Sequence, residues 1–173
     1  EVALKLIDTF GEKCKPDHIN TNIENETALT ISCKNRMNKV ALKLINTFGE
    51  LCKPDHFEHF PDGDGELVRG TALTYACMNN MSDVALKLID RCGLLCKPDH
   101  LDYYRNTALI YACINKMNDV AVKLIETCGE KCKPDFHSNF YYYYFNYTPL
   151  IYACMNNMND VAVKLIDTFG EKC

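Results

Sequence analysis

The chain has no run approaching the roughly 18 consecutive apolar residues that a bilayer-spanning helix needs, and no charged-then-apolar leader opens it. It has no basic excess either. A net charge of −4 and a pI near 5.7 provide no stripe for a phosphate backbone, so neither nucleic acid nor a membrane is expected as a partner. No glycine-rich loop cradles a phosphate, and no acid pair or Ser-His-Asp grouping stands in the sequence. Hydrolytic and phosphoryl-transfer chemistry would lack its usual residues, so no enzyme activity, cofactor or small-molecule substrate is expected.

Repetition takes the place of these features. The block T-[AP]-L-x-x-[AS]-C-x-N-x-M-x-x-V-A-x-K-L-I opens at Thr27, Thr71, Thr107 and Thr148. The units fall at 27–55, 71–99, 107–135 and 148–173, with a partial unit at 1–17 that keeps only the second half. Segments of unequal length separate them, at 18–26, 56–70, 100–106 and 136–147. Fixed cores joined by variable loops describe a single scaffold of stacked units with changeable tips. Glu1 falls inside a unit and Cys173 stops where earlier copies continue into Lys-Pro-Asp, so both ends read as cut from a longer array.

The second half of each unit reads as a helix. With Val40 at 0° and about 100° per residue, Leu44, Phe48, Ala41, Ile45 and Leu42 fill an arc of about 200°, while Asn46, Lys43 and Thr47 hold the rest. That arc is twice the stripe of a helix with one buried face, so each such helix needs apolar neighbours on both sides. Ser82-Asp83, Asn118-Asp119 and Asn159-Asp160 are start signals; Gly49, Gly93, Gly129 and Gly170 are stops, with Pro54, Pro98 and Pro134 beyond. The first half predicts a shorter helix, from Ala72 to about Met78 in the second copy, capped by Thr71. Asn35, Asn79, Asn115 and Asn156 are expected at the intervening turn, where asparagine tolerates left-handed backbone. Lys5, Lys43, Lys87, Lys123 and Lys164 stand three residues before Asp8, Asn46, Asp90, Glu126 and Asp167, the pattern of a wet helix edge with paired charges.

Eleven cysteines recur at equivalent positions rather than as a disulfide framework. Equivalent residues of stacked helices lie about 8–10 Å apart, beyond what a disulfide spans. Cys92 and Cys128 stand where other copies have Phe10, Phe48 and Phe169, so cysteine serves there as apolar filler. Free thiols imply a reducing compartment, and a cytoplasmic location is expected.

This pattern resembles the ankyrin repeat, most closely at Thr148-Pro149-Leu150-Ile151-Tyr152-Ala153, with Val161, Leu165 and Ile166 at the apolar positions of its second helix. The resemblance implies an all-α solenoid of helix-turn-helix units with β-hairpin fingers, acting as a protein-interaction scaffold. Departures are visible. Thr30, Thr74, Ile110 and Ile151 occupy the family's histidine position, so its usual hydrogen-bond network is not expected; Ala28, Ala72 and Ala108 replace its proline; Arg36, Asn80, Lys116 and Asn157 stand at its turn glycine. The Asn-, Lys-, Ile- and Tyr-rich style, with near-duplicate copies, resembles the expanded ankyrin families of giant DNA viruses that infect amoebae, for which the compartment would be the host cytosol.

The candidate contacts for an unidentified partner protein are aromatic. The loop 136–147 holds Tyr141, Tyr142, Tyr143, Tyr144 and Phe145, and the inner face implied by the resemblance adds Tyr75, Tyr103, Tyr104, Tyr111 and Tyr152. Such rings bring contact area at low entropic cost. His18, His56 and His100, one per unit, are too far apart to converge on a metal, and Asp62-Gly63-Asp64-Gly65-Glu66 lacks the spacing of a calcium loop. The competing readings are a structural spacer in a longer array whose effector lies elsewhere, and a thiol or metal buffer built on the cysteine rows.

Overall fold

The computed structural model describes residues 1–20, 26–62, 65–137 and 147–173, and the side-chain environments within them apart from 58–69. Helices α1 (Val2–Phe10), α3 (Asn38–Phe48), α5 (Ser82–Cys92), α7 (Asn118–Cys128) and α9 (Asn159–Phe169) stack as one layer. The shorter α2 (Ala28–Lys34), α4 (Ala72–Met78), α6 (Ala108–Ile114) and α8 (Pro149–Met155) stack as a second layer against them. Hairpin fingers precede α2 and α4: β1 (Ile19–Asn20) pairs antiparallel with β2 (Glu26–Thr27), and β3 (Phe57–Asp62) with β4 (Gly65–Thr71). Asp62 lies opposite Gly65, the last described pair of the second hairpin.

Each opening threonine is in extended geometry and caps a short helix. Thr27 Oγ1 accepts from the Thr30 N–H at 3.1 Å, and Thr71, Thr107 and Thr148 do the same for Thr74, Ile110 and Ile151. The hydroxyls of Thr27 and Thr30 also bond each other at 2.6 Å, and those of Thr71 and Thr74 at 3.1 Å. Thr30 and Thr74 thus rebuild a local network at the position of the missing histidine, which Ile110 and Ile151 cannot do.

The turn between helices departs from expectation by one residue. Asn35, Asn79, Asn115 and Asn156 have φ of −90° to −96°; the left-handed residues are Arg36, Asn80, Lys116 and Asn157, at φ of 56° or 57°. These close a Schellman motif, in which Met37 donates to Ser32 O, Met81 to Ala76 O, Met117 to Ala112 O and Met158 to Ala153 O, at 2.8–2.9 Å. The asparagines have another task. Asn79 Nδ2 donates to Cys33 O and Lys34 O of the preceding unit at 3.0 and 3.1 Å. Asn115 repeats this to Cys77 O and Met78 O at 2.8 and 3.0 Å, and Asn156 to Cys113 O and Ile114 O at 2.9 and 3.4 Å. Each of these three asparagines therefore donates to the last carbonyls of its neighbour's short helix. The result is a ladder that ties unit to unit.

Two further expectations are corrected. Ser82, Asn118 and Asn159 do not cap the long helices but begin them; the cap positions are Met81, Met117 and Met158, without side-chain cap bonds. Their N–H groups serve the Schellman motif and their side chains are buried, so packing takes the place of capping. Three lysines of the edge pair across units, while Lys5 pairs with Glu1 at the start of its own helix. Lys43 meets Asp8 of the preceding helix, Lys123 meets Asp90 at 2.7 Å and Lys164 meets Glu126 at 2.6 Å. Lys87 would face position 46, where Asn46 replaces the acid, and no ion pair for it occurs among the described residues.

Long-helix residues Ala41, Leu44, Ile45, Val84, Leu88, Ile89, Val120, Leu124 and Ile125 are buried, in one continuous core with the short helices. The backbone then makes a tight stop. At Gly93, φ 50° and ψ −127° define a conformation that only glycine adopts readily, and an added Cβ would meet nothing within 4 Å. A short 3-10 turn follows, ending in a thiol. Cys52 Sγ donates to Leu44 O and Cys96 Sγ to Leu88 O, at 3.4 and 3.2 Å, so this cysteine row bonds the helix it follows as well as filling space.

Candidate functional site

The candidate site lies where the short helices meet the fingers, across three units. Lys34 at the end of α2, Tyr75 and Met78 on α4, Gly70 at the end of β4, and Asp102, Tyr103 and Tyr104 in the third loop line a groove of about 330 Å³. Gly70 sits there by necessity: a Cβ would lie 3.0 Å from Thr74 Cβ and Cγ2. Tyr103 and Tyr104 are 57% and 43% exposed, with ring centroids 5.2 Å apart in an edge-to-face arrangement.

The third loop forms no strand; Asp102 organises it instead. Its Oδ1 accepts from the Asn106 N–H at 2.8 Å and its Oδ2 from the Tyr111 hydroxyl at 2.6 Å, while the Asp102 N–H reaches Asn106 O at 3.1 Å. Burial pushes the Asp102 carboxyl upward, and the bonds from Tyr111 and from the Asn106 and Tyr104 N–H groups oppose that rise. Burial, and then the Asp102 charge, raise the Tyr111 phenol. Asn106 Oδ1 is buried without a hydrogen-bond partner.

The expected contact residues therefore separate into groups. Tyr103 and Tyr104 are on the surface and adjacent to each other. Tyr152 is half-buried, edge-on to Tyr147 at 5.5 Å. Tyr75 and Tyr111 are buried, and this corrects the expectation that they offer rings to a partner. Tyr111 is held inward by its bond to Asp102, and Tyr75 shows the groove only part of its surface. Tyr141, Tyr142, Tyr143, Tyr144 and Phe145 lie outside the described residues. Sequence reading missed Asp102, Lys34 and Gly70. The signal for Asp102 was present in the short Asp-Tyr-Tyr-Arg-Asn loop, where an aspartate four residues before an asparagine N–H can close a turn.

The sequence model of the family described as ankyrin repeats, in three copies, matches residues 73–172 of the 173. The chain belongs to the ankyrin-repeat family. No curated protein matches it closely enough to count as a relative. As an ankyrin-repeat stack it belongs to a class of modules that generally bind proteins. No helix among the described residues is long and apolar enough to cross a membrane.

The chemistry of the thiols bears on the buffer reading. Of the 11 cysteines only Cys14 and Cys154 are exposed, with Cys173 intermediate. Burial pushes Cys33, Cys52, Cys113 and Cys132 up to about 12 and Cys128 to about 11. Thiols held in that range carry little thiolate at neutral pH and make poor ligands or nucleophiles. Among the described residues no group of three or more His, Cys, Asp and Glu side chains is placed to hold a metal.

Proposed function

We propose that this chain is a non-enzymatic protein-binding scaffold that seats a segment of one partner protein across the fingers and short helices. The observation that carries this reading is the pair Tyr103 and Tyr104, large rings exposed side by side at the mouth of the groove. Interfaces draw their energy from such anchors. The ladder and the shared core supply the rigid platform, so a partner need not pay for ordering it. The aromatic loop holding Tyr141 to Phe145 is proposed as a second arm of the same surface.

The test is capture of binding proteins, identified by mass, on immobilised chain. Two variants are compared with the parent: Tyr103→Ser with Tyr104→Ser, and Tyr141→Ser with Tyr143→Ser and Phe145→Ser. Loss of one defined partner in either variant, with helical circular dichroism intact, supports the scaffold. Equal capture of that partner by all three proteins would overturn these aromatic contacts, and capture of no defined partner by the parent would leave the spacer reading in its place.

A further inference from the structure

The groove has an electrostatic bias that its aromatic walls do not account for. Asp102 is 6% exposed and lines the groove, yet its oxygens accept only from a neutral hydroxyl and from backbone N–H groups. Among the described lining residues the one cation is Lys34, which stands 2.6 Å from Glu26 Oε1, and Glu26 is itself buried. Counting that pair as neutral, the described lining residues carry one negative charge, that of Asp102. It sits beside two exposed phenol rings, on a chain whose net charge is −4. A cavity of about 330 Å³ is at the small end of ligand pockets and suits one long side chain rather than a helix.

We propose that the groove is a pocket for an arginine side chain of an extended partner segment, its guanidinium held at the rings of Tyr103 and Tyr104 and directed toward Asp102. This rests on the scaffold reading and names the chemistry of what the scaffold seats. Arginine fits for three physical reasons. Its planar cation stacks on aromatic faces, it is only weakly hydrated, and its forked N–H groups match the geometry of a carboxylate. An incoming carboxylate would face Asp102, and an apolar side chain would leave the buried charge uncompensated.

Blocked pentapeptides Gly-Gly-X-Gly-Gly, with X as arginine, citrulline, norleucine or glutamate, test the proposal on the full isotope-labelled chain. Citrulline keeps the shape of arginine and removes its charge. The arginine peptide is expected to shift the resonances of Gly70, Tyr103 and Tyr104, and to bind at least about tenfold more tightly than citrulline. Tyr103→Ala, at an exposed ring outside the core, is expected to weaken arginine binding by about fivefold or more while the helical spectrum is unchanged. Asp102→Asn is expected to reduce the preference for arginine over citrulline. If citrulline or norleucine binds as well as arginine, or if Tyr103→Ala binds arginine like the parent, the cation pocket is overturned while the groove remains a contact surface. If no peptide moves those resonances, the groove as a partner site falls together with the pocket.

Discussion

Replacing Asn115 by alanine is expected to loosen the joint between the second and third units. Asn115 Nδ2 donates to Cys77 O at 2.8 Å and to Met78 O at 3.0 Å, both at the end of α4. A net contribution of about 0.5–1.5 kcal/mol per bond puts the loss at about 1–3 kcal/mol, or about 2–4 °C in Tm for each kcal/mol in a chain of this length. The stack contains its own control. Asn35 occupies the same place at the end of α2, and among the described residues its amide bonds no carbonyl of another short helix. Asn35→Ala therefore reports what losing an asparagine costs the turn itself. Urea unfolding followed by circular dichroism gives both midpoints. Asn115→Ala should lower the midpoint distinctly more than Asn35→Ala; equal losses would refute the ladder as a link between units.

Three other perturbations separate the remaining forces. Gly93→Ala should destabilise by about 1–3 kcal/mol although its methyl group meets no atom within 4 Å, because φ of 50° with ψ of −127° is the obstacle; thermal melts check it, and an unchanged Tm would contradict it. Asn46→Asp should give Lys87 the partner that Lys43, Lys123 and Lys164 already have, with a small rise in Tm that fades in high salt; no rise at low salt would count against the pairing of lysines across units. Buried thiols should make the fold fail in alkali. Cys113 is held to about 12 against an ordinary value of 9.0, so between those values the folded chain keeps a proton that the unfolded chain has lost, and stability falls as pH rises. One such thiol contributes about 4 kcal/mol across the window, and Cys113→Ala should flatten the fall in stability between pH 9 and 12.

The helix pairs were legible because their cause is local and repeated. An apolar arc as wide as that from Val40 to Leu42 can be satisfied only by neighbours on both sides, and four copies of the arc place those neighbours in sequence order. Threonine caps and glycine stops could be read for the same reason. What joins the units was less legible, because one residue type can serve several purposes. The asparagine recurring at 35, 79, 115 and 156 read as a turn residue by its backbone tolerance, whereas its amide reaches across to the neighbouring unit and the next residue bears the left-handed strain. Lys123 and Lys164 likewise stand three residues from an acid on their own helix, and only the stacking distance shows that the acid one unit back is the partner. At the groove, tyrosine signalled contact area but not direction. Tyr111 turns inward because Asp102 takes its hydroxyl, while Tyr103 and Tyr104 flank that bond and are left outside.

The dependence of each unit on the next is tested most directly by excising one. A peptide of residues 107–135 contains α6 and α7, whose Leu109, Ala112, Val120, Ala121, Leu124 and Ile125 are buried in the core shared with the units on either side. Amide exchange on that peptide is expected to run at nearly the rate of an unstructured chain, while the same amides in the parent are strongly protected. Equal protection in the two would mean that a unit folds on its own, and the stacked account would be wrong.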